Sequence, residues 1–241
     1  ERRRGRSREQ AGRPRGGRLT PDGIAGVPAL SVLVAESPGM GELVVLNKDA
    51  DTVWYLDGDT GERLASVDVD FNPHEVAVSP DGATSYVTCS LGGSLLCLDN
   101  DARAVRDRFE HDLFDFPHGL AVRESARELW LVSTYSSQVF VFDLDGEDLL
   151  ETFPTHQDKS HMVTFGPEED RAYVANIGSD SVTVVDADER RVVADPPVGE
   201  GPEGIAVDPD TGEVLVANQD DGRLSVLDPD SLADERMALL G

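Results

Sequence analysis

Lysine is nearly missing from this chain: Lys48 and Lys159 are the only two in 241 residues. Against 21 lysines and arginines stand 47 acids, for a formal charge of −26. The imbalance is sharper beyond residue 18. Residues 1–18 hold eight arginines against Glu1 and Glu9, so the rest of the chain carries 45 acids against 13 bases, a net of −32. A body this negative repels phosphates, which excludes nucleic acid as its partner; only the arginine-rich tail could attract them. Dense acidity with so little lysine is the surface of a protein working in high salt, where counter-ions screen the repulsion and the charge maintains solubility. Calcium loading is the competing reading, but no D-x-D-x-D-G loop is present.

Cysteine is scarce too. Cys89 and Cys97 do not make a disulfide framework, and the compartment stays open. No apolar run approaches the length of a membrane span, and no hydrophobic stretch follows the N-terminal arginines, so the chain as given shows neither anchor nor signal peptide. A phosphate-binding loop, a G-x-S-x-G elbow and a dinucleotide fingerprint are all missing, which removes the commonest nucleotide and serine-hydrolase readings.

What is present is a repeat. In Arg171 to Asp186 two runs of β-branched and aromatic residues, Ala172–Asn176 and Ser181–Val185, flank the turn Ile177-Gly178-Ser179-Asp180. This pattern predicts a hairpin. The shape recurs at 43–57, 86–99, 129–143 and 214–228. The first strands of these hairpins end at Asn47, Cys89, Ser133, Asn176 and Asn218, a period of 42 to 44 residues. Another strand-like run precedes each hairpin and a more polar one follows it, for example Leu64–Val69 and Arg191–Ala194. Four short antiparallel strands in about 42 residues is one blade of a β-propeller. The expectation is an all-β propeller over 31–241, with blades at about 31–70, 71–115, 116–157, 158–200 and 201–241. Residues 1–30 are expected to form an Arg/Gly-rich disordered tail and connector. Glu235 to Leu240 is expected either to complete the fifth blade or to pair with Gly23–Pro28.

The phrases Ala172-Tyr173-Val174-Ala175-Asn176, Ser85-Tyr86-Val87-Thr88-Cys89, Val78-Ser79-Pro80-Asp81-Gly82 and Pro202-Glu203-Gly204-Ile205-Ala206-Val207 resemble the YVTN-type β-propeller repeat family. The resemblance implies an extracytoplasmic or surface-layer setting and a propeller of up to seven blades. It leaves the activity open, since similar propellers include lactonases, antibiotic lyases and copper enzymes.

The chemistry gathers at one end. The positions that begin the first strand of each blade are Val32, His74, His118, His161 and Glu203, so three consecutive blades place a histidine at the channel mouth. His111 and His156 lie in the connections to the same face. Constant pairing across the first hairpin puts Cys89 opposite His74, Ser133 opposite His118 and Asn176 opposite His161; in the next hairpin it puts Cys97 opposite Tyr86. Convergent imidazoles with a nearby carboxylate or thiol are the ligands that Zn, Cu or Fe prefer, and imidazole also serves as general acid or base. The candidate ligand-binding residues are therefore His74, His118, His161, Glu203 and Cys89, with the three histidines as candidate metal ligands. A repeat protein can also use such positions to cap its inner strands. The reading adopted is a scaffold that binds a small-molecule or protein ligand at this mouth. A metal-dependent enzyme with Glu203 or Cys89 as fourth ligand or base and His111 or His156 as acid/base groups, or a structural surface-layer module, remains open. At the opposite end, an Asp-x-Asp in every repeat (Asp57, Asp99, Asp143, Asp186 and Asp228 as first member) is expected to cap a turn rather than hold a cation.

Overall fold

The computed structural model of the chain describes residues 32–37, 41–144 and 148–239. The tail and connector expected over 1–30, including Gly23–Pro28, lie outside the described residues. Every regular element among the described residues is a strand, and the strands form five four-stranded antiparallel meanders. The first sheet is β1 (Val32–Ser37), β2 (Glu42–Asn47), β3 (Thr52–Asp57) and β4 (Arg63–Asp68). The second is β5 (Pro73–Val78), β6 (Thr84–Cys89), β7 (Ser94–Asp99) and β8 (Ala104–Glu110). The third is β9 (Pro117–Arg123), β10 (Glu128–Ser133), β11 (Gln138–Asp143) and β12 (Leu149–Pro154). The fourth is β13 (Ser160–Phe165), β14 (Arg171–Asn176), β15 (Ser181–Asp186) and β16 (Arg191–Ala194). The fifth is β17 (Pro202–Val207), β18 (Val214–Asn218), β19 (Arg223–Leu227) and β20 (Asp234–Leu239). Within the fifth sheet β20 pairs with β19, so the segment at Glu235 completes that sheet.

The middle strands of the second, third and fourth sheets are buried on both faces, which explains their near-continuous Val, Leu and aromatic content. Four apolar clusters form the core, and each joins neighbouring sheets. Val44, Leu46, Val53 and Tyr55 meet Val87, Cys89, Leu96 and Leu98 between the first and second. Tyr86, Leu95 and Cys97 meet Leu129, Leu131, Phe140 and Phe142 between the second and third. Trp130, Val132, Val139 and Val141 meet Val163, Val174 and Val185 between the third and fourth. Tyr173, Val182 and Val184 meet Val214, Val216 and Leu227 between the fourth and fifth. Among the described residues no such cluster links the fifth sheet to the first. The outer strands β4 and β8 carry mostly exposed side chains.

The turns opposite the histidines use aspartate as expected. Asp57 accepts N–H bonds from Asp59 and Thr60, and Asp228 does the same from Asp230 and Ser231. The Thr60 hydroxyl, followed by its N–H, holds the Asp57 carboxyl below the usual range, and the Ser231 N–H and hydroxyl do so for Asp228. Asp99 and Asp186 each accept one such bond, from Ala102 and Glu189.

Beside these turns, arginines tie sheet to sheet. Glu128, buried, accepts from Trp130 Nε1 at 2.9 Å and from Arg190 at 2.8 Å, with Arg123 Nη1 at 3.7 Å. Removing one carboxylate from a buried network strands its partners. Glu128→Ala is expected to lower the unfolding free energy by about 3 kcal/mol or more, read from chemical denaturation. Glu189→Ala, whose partner Arg191 is exposed, is expected to cost less than about 1 kcal/mol.

Candidate functional site

The site begins with a break in strand pairing. In four of the five first hairpins, constant register fails at one place: between Pro73 and Glu75, between the partners of Leu131 and Ser133, between Ser160 and Val163, and between Pro202 and Gly204. Cys89 therefore pairs with Pro73, Ser133 with Pro117, Asn176 with Ser160 and Asn218 with Pro202. This corrects the expected pairing of Cys89, Ser133 and Asn176 with the histidines. Each bulge falls at the histidine or at Glu203, an extra residue that the ladder does not use and whose side chain is free to be re-aimed. The first hairpin, with Val32 at this position, pairs Val32 with Asn47 and has no bulge. Cys97 does face Tyr86.

Freed from the ladder, the imidazoles stack. The His118 ring stacks on His161, with centroids 3.7 Å apart at 28°, and meets His74 at 4.1 Å in a tilted arrangement of 51°. Gly119 permits this approach: a Cβ there would come within 2.8 Å of Met162 Cα and closer still to the His161 carbonyl oxygen. Phe116 stacks on the outer side of His118, at 5.8 Å and 15°, and meets exposed Tyr135 at 5.4 Å. Two residues before each bulged position the backbone is left-handed, at Asn72, Phe116, Lys159 and Gly201. Glycine or asparagine takes that conformation easily, while a bulky aromatic does so under strain. At φ 62° Phe116 keeps a costly backbone and presents its ring to His118.

In the first three sheets the residue after the second strand reaches across to the next sheet. Lys48 Nζ hydrogen-bonds His74 Nε2, and Thr134 Oγ1 lies 3.1 Å from His161 Nδ1. Because an ammonium only donates, Nε2 of His74 accepts and the ring proton lies on Nδ1, which is 3.8 Å from Glu75 Oε1. The equivalent Ser90 donates instead to the carbonyl of Pro117. His118 is left without a partner. It is 3 % exposed, and neither ring nitrogen makes a hydrogen bond. Burial, then the neighbouring His161, His74 and Lys48, push its pKa down to about 2. Burial with His74 and Lys48 nearby pushes that of His161 down to about 4. Both rings are neutral at pH 7, and the lone pair of His118 is available to a ligand.

The expected set is thus partly assembled. One ligand atom from each of His74, Glu75 and His118 lies within 4.8 Å of the others. His161 stacks on this group and turns its nitrogens to Thr134 and, at 3.9 Å, to half-exposed Glu203. Cys89 is elsewhere: it sits fully buried in the core between the first and second sheets, and burial followed by the charge of Asp70 raises its thiol to about 12. His111 packs on Phe114 and Phe140 and accepts the N–H of Leu113, a loop-fixing role. His156 is exposed in the loop before β13 and makes no ring contact with the stack. The sequence reading missed Glu75, Lys48 and Phe116. Regular strand alternation assigns Glu75 to the side away from His74, and only the bulge brings the two together.

Phe71, Leu91 and Leu113 are 58 %, 57 % and 42 % exposed in loops at the same end of the second and third sheets. Together with Tyr135 they form an apolar rim on an acidic protein. A cleft of about 440 Å³ opens at the other end, between the fourth and fifth sheets, lined by Glu168, Asp170, Arg171, Asp210 and Asp230. Unlike the histidine stack, it contains no buried group lacking a partner.

Antiparallel four-stranded meanders packed sheet on sheet through their inner and middle strands define a β-propeller-like, all-β repeat fold. Solved structures similar to it include hydrazine synthase of Kuenenia stuttgartiensis, with a TM-score of 0.65 and 18 % identity over 82 % of this chain and 76 % of that one. A functionally unknown protein from Desulfotomaculum acetoxidans gives 0.71 and 15 %, over 87 % and 68 %. At these identities the likeness is one of fold. Among curated proteins, Antigen Lp49 of Leptospira interrogans is 26 % identical over 180 residues, which are 72 % of this chain and 39 % of that protein. The chain thus spans well under half the length of that relative. No family model matches the sequence.

Proposed function

We propose that the chain is a YVTN-like β-propeller scaffold working in high salt, and that it binds its ligand at the end where His74, His118 and His161 stack. The observation that carries this reading is His118: a buried imidazole with two unpartnered nitrogens destabilises the protein and is useful only to something that binds it. The walls fit a ligand as well. Phe116 and Tyr135 offer aromatic faces, Lys48 a cation, Glu75 and Glu203 carboxylates, and the exposed apolar rim is the kind of surface that marks binding sites. The charge of −26 supports the high-salt setting.

A thermal-shift screen in molar salt tests the reading, with a panel of small anions, cations and aromatic compounds against the wild-type chain and His118→Phe. Ligands that raise the wild-type midpoint by about 3 °C or more and leave the variant unmoved are expected. Hits that stabilise both proteins equally, or none in any class, would overturn it.

A further inference from the structure

We infer that His74, Glu75 and His118 form a site for a divalent transition-metal ion, an inference that rests on the histidine end being the binding site. Three observations carry it. The three residues each offer a ligand atom within 4.8 Å of the other two. His118, one of the three, is 3 % exposed and its nitrogens have no partner. The bulge at His74 turns two consecutive side chains to one place, and among the described residues Glu75 makes no ion pair with arginine or lysine, its Oε1 lying 3.8 Å from His74 Nδ1.

The donor set selects the ion. Two imidazoles and one carboxylate suit Zn²⁺, Co²⁺, Fe²⁺ or Cu²⁺, whereas Ca²⁺ and Mg²⁺ want oxygen ligands throughout. Three protein ligands leave coordination positions open to water or to a further ligand. The Phe116 and His161 rings both stack on His118 and fix the plane in which its lone pair lies. Lys48 has a defined role in this arrangement: its ammonium occupies His74 Nε2 and is the cation that an incoming metal displaces or repels.

Co²⁺ is the probe, added to tag-free, chelator-stripped protein in molar salt. One equivalent is expected to bind with a visible d–d band, and Zn²⁺ is expected to abolish that band. His118→Phe should weaken Co²⁺ binding at least 100-fold and Glu75→Gln at least tenfold, both with unchanged far-ultraviolet circular dichroism. Lys48→Met should tighten it by about tenfold through loss of a nearby positive charge. Equal Co²⁺ affinity in the wild-type chain, His118→Phe and Glu75→Gln would overturn the site, as would no saturable binding by the folded wild-type chain. If organic ligands depend on His118 in the thermal screen while Co²⁺ does not bind, the metal inference fails alone. If neither binds, both readings fail.

Discussion

In chelator-containing buffer His118→Phe is expected to be more stable than the wild-type chain at pH 7, and the gap is expected to widen as the pH falls. The phenyl ring is one ring atom larger than imidazole but has the same flat shape for stacking on Phe116 and His161, and it has no polar atom to leave unpaired. Removing a buried polar group that lacks a partner should return about 1 to 3 kcal/mol. The pH dependence follows from linkage. Above pH 6.5 the ring is neutral in both folded and unfolded chains and adds no slope. Below it the unfolded ring takes a proton, while the buried one, with its pKa at about 2, does not. The folded state then loses about 1.4 kcal/mol per pH unit, or about 2.7 kcal/mol by pH 4.5. His161 adds a slope of the same sign down to about pH 4, but it is present in both proteins and largely cancels in the comparison. Denaturant unfolding at pH 7.0, 5.5 and 4.5 measures the difference. Parallel stabilities across that range would mean that the His118 ring is hydrated and the orphaned-imidazole argument fails.

Gly119→Ala is expected to be the most damaging single-methyl change at this end of the protein. Its Cβ would fall within 2.8 Å of Met162 Cα and 3.1 Å of Val163 N, and backbone cannot yield as a side-chain tip can. To accept it, β9 and β13 must separate, which opens the core between the third and fourth sheets and unstacks His118 from His161. Overpacking of this kind costs about 3 kcal/mol or more where the obstacle is main chain. Gly204 is the internal control, since it follows Glu203 as Gly119 follows His118. A Cβ there meets only Ala217 Cβ, at 3.6 Å. Gly204→Ala is therefore expected to change stability by less than about 1 kcal/mol, measured by the same denaturation midpoints. Equal effects at the two positions would contradict the close approach of β9 to β13.

The two glycines also show how far residue patterns reach. Both occupy the third position of a first strand, and nothing in their local sequence separates them. They differ only in what packs against the strand: β13 lies on β9, while the described residues put no further strand on Gly204. The same holds for Cys89. Its place at the end of a strand is readable from the period, but a one-residue bulge moves its partner from His74 to Pro73, and burial makes its thiol inert.

The strands, their meander order, the shared end of His74, His118 and His161, and the aspartate turns at the other end are all legible in the residue pattern. These follow from period-two alternation, turn chemistry and a 42-to-44-residue repeat, all of which are local and recur. Which residues meet depends on the packed fold: that Glu75 rather than His161 or Cys89 joins His74 and His118, that Lys48 reaches His74 from the sheet before, and that both ring nitrogens of His118 lack a partner. Bulges and sheet-to-sheet packing set those contacts through non-local sterics, and no spacing within a single repeat encodes them.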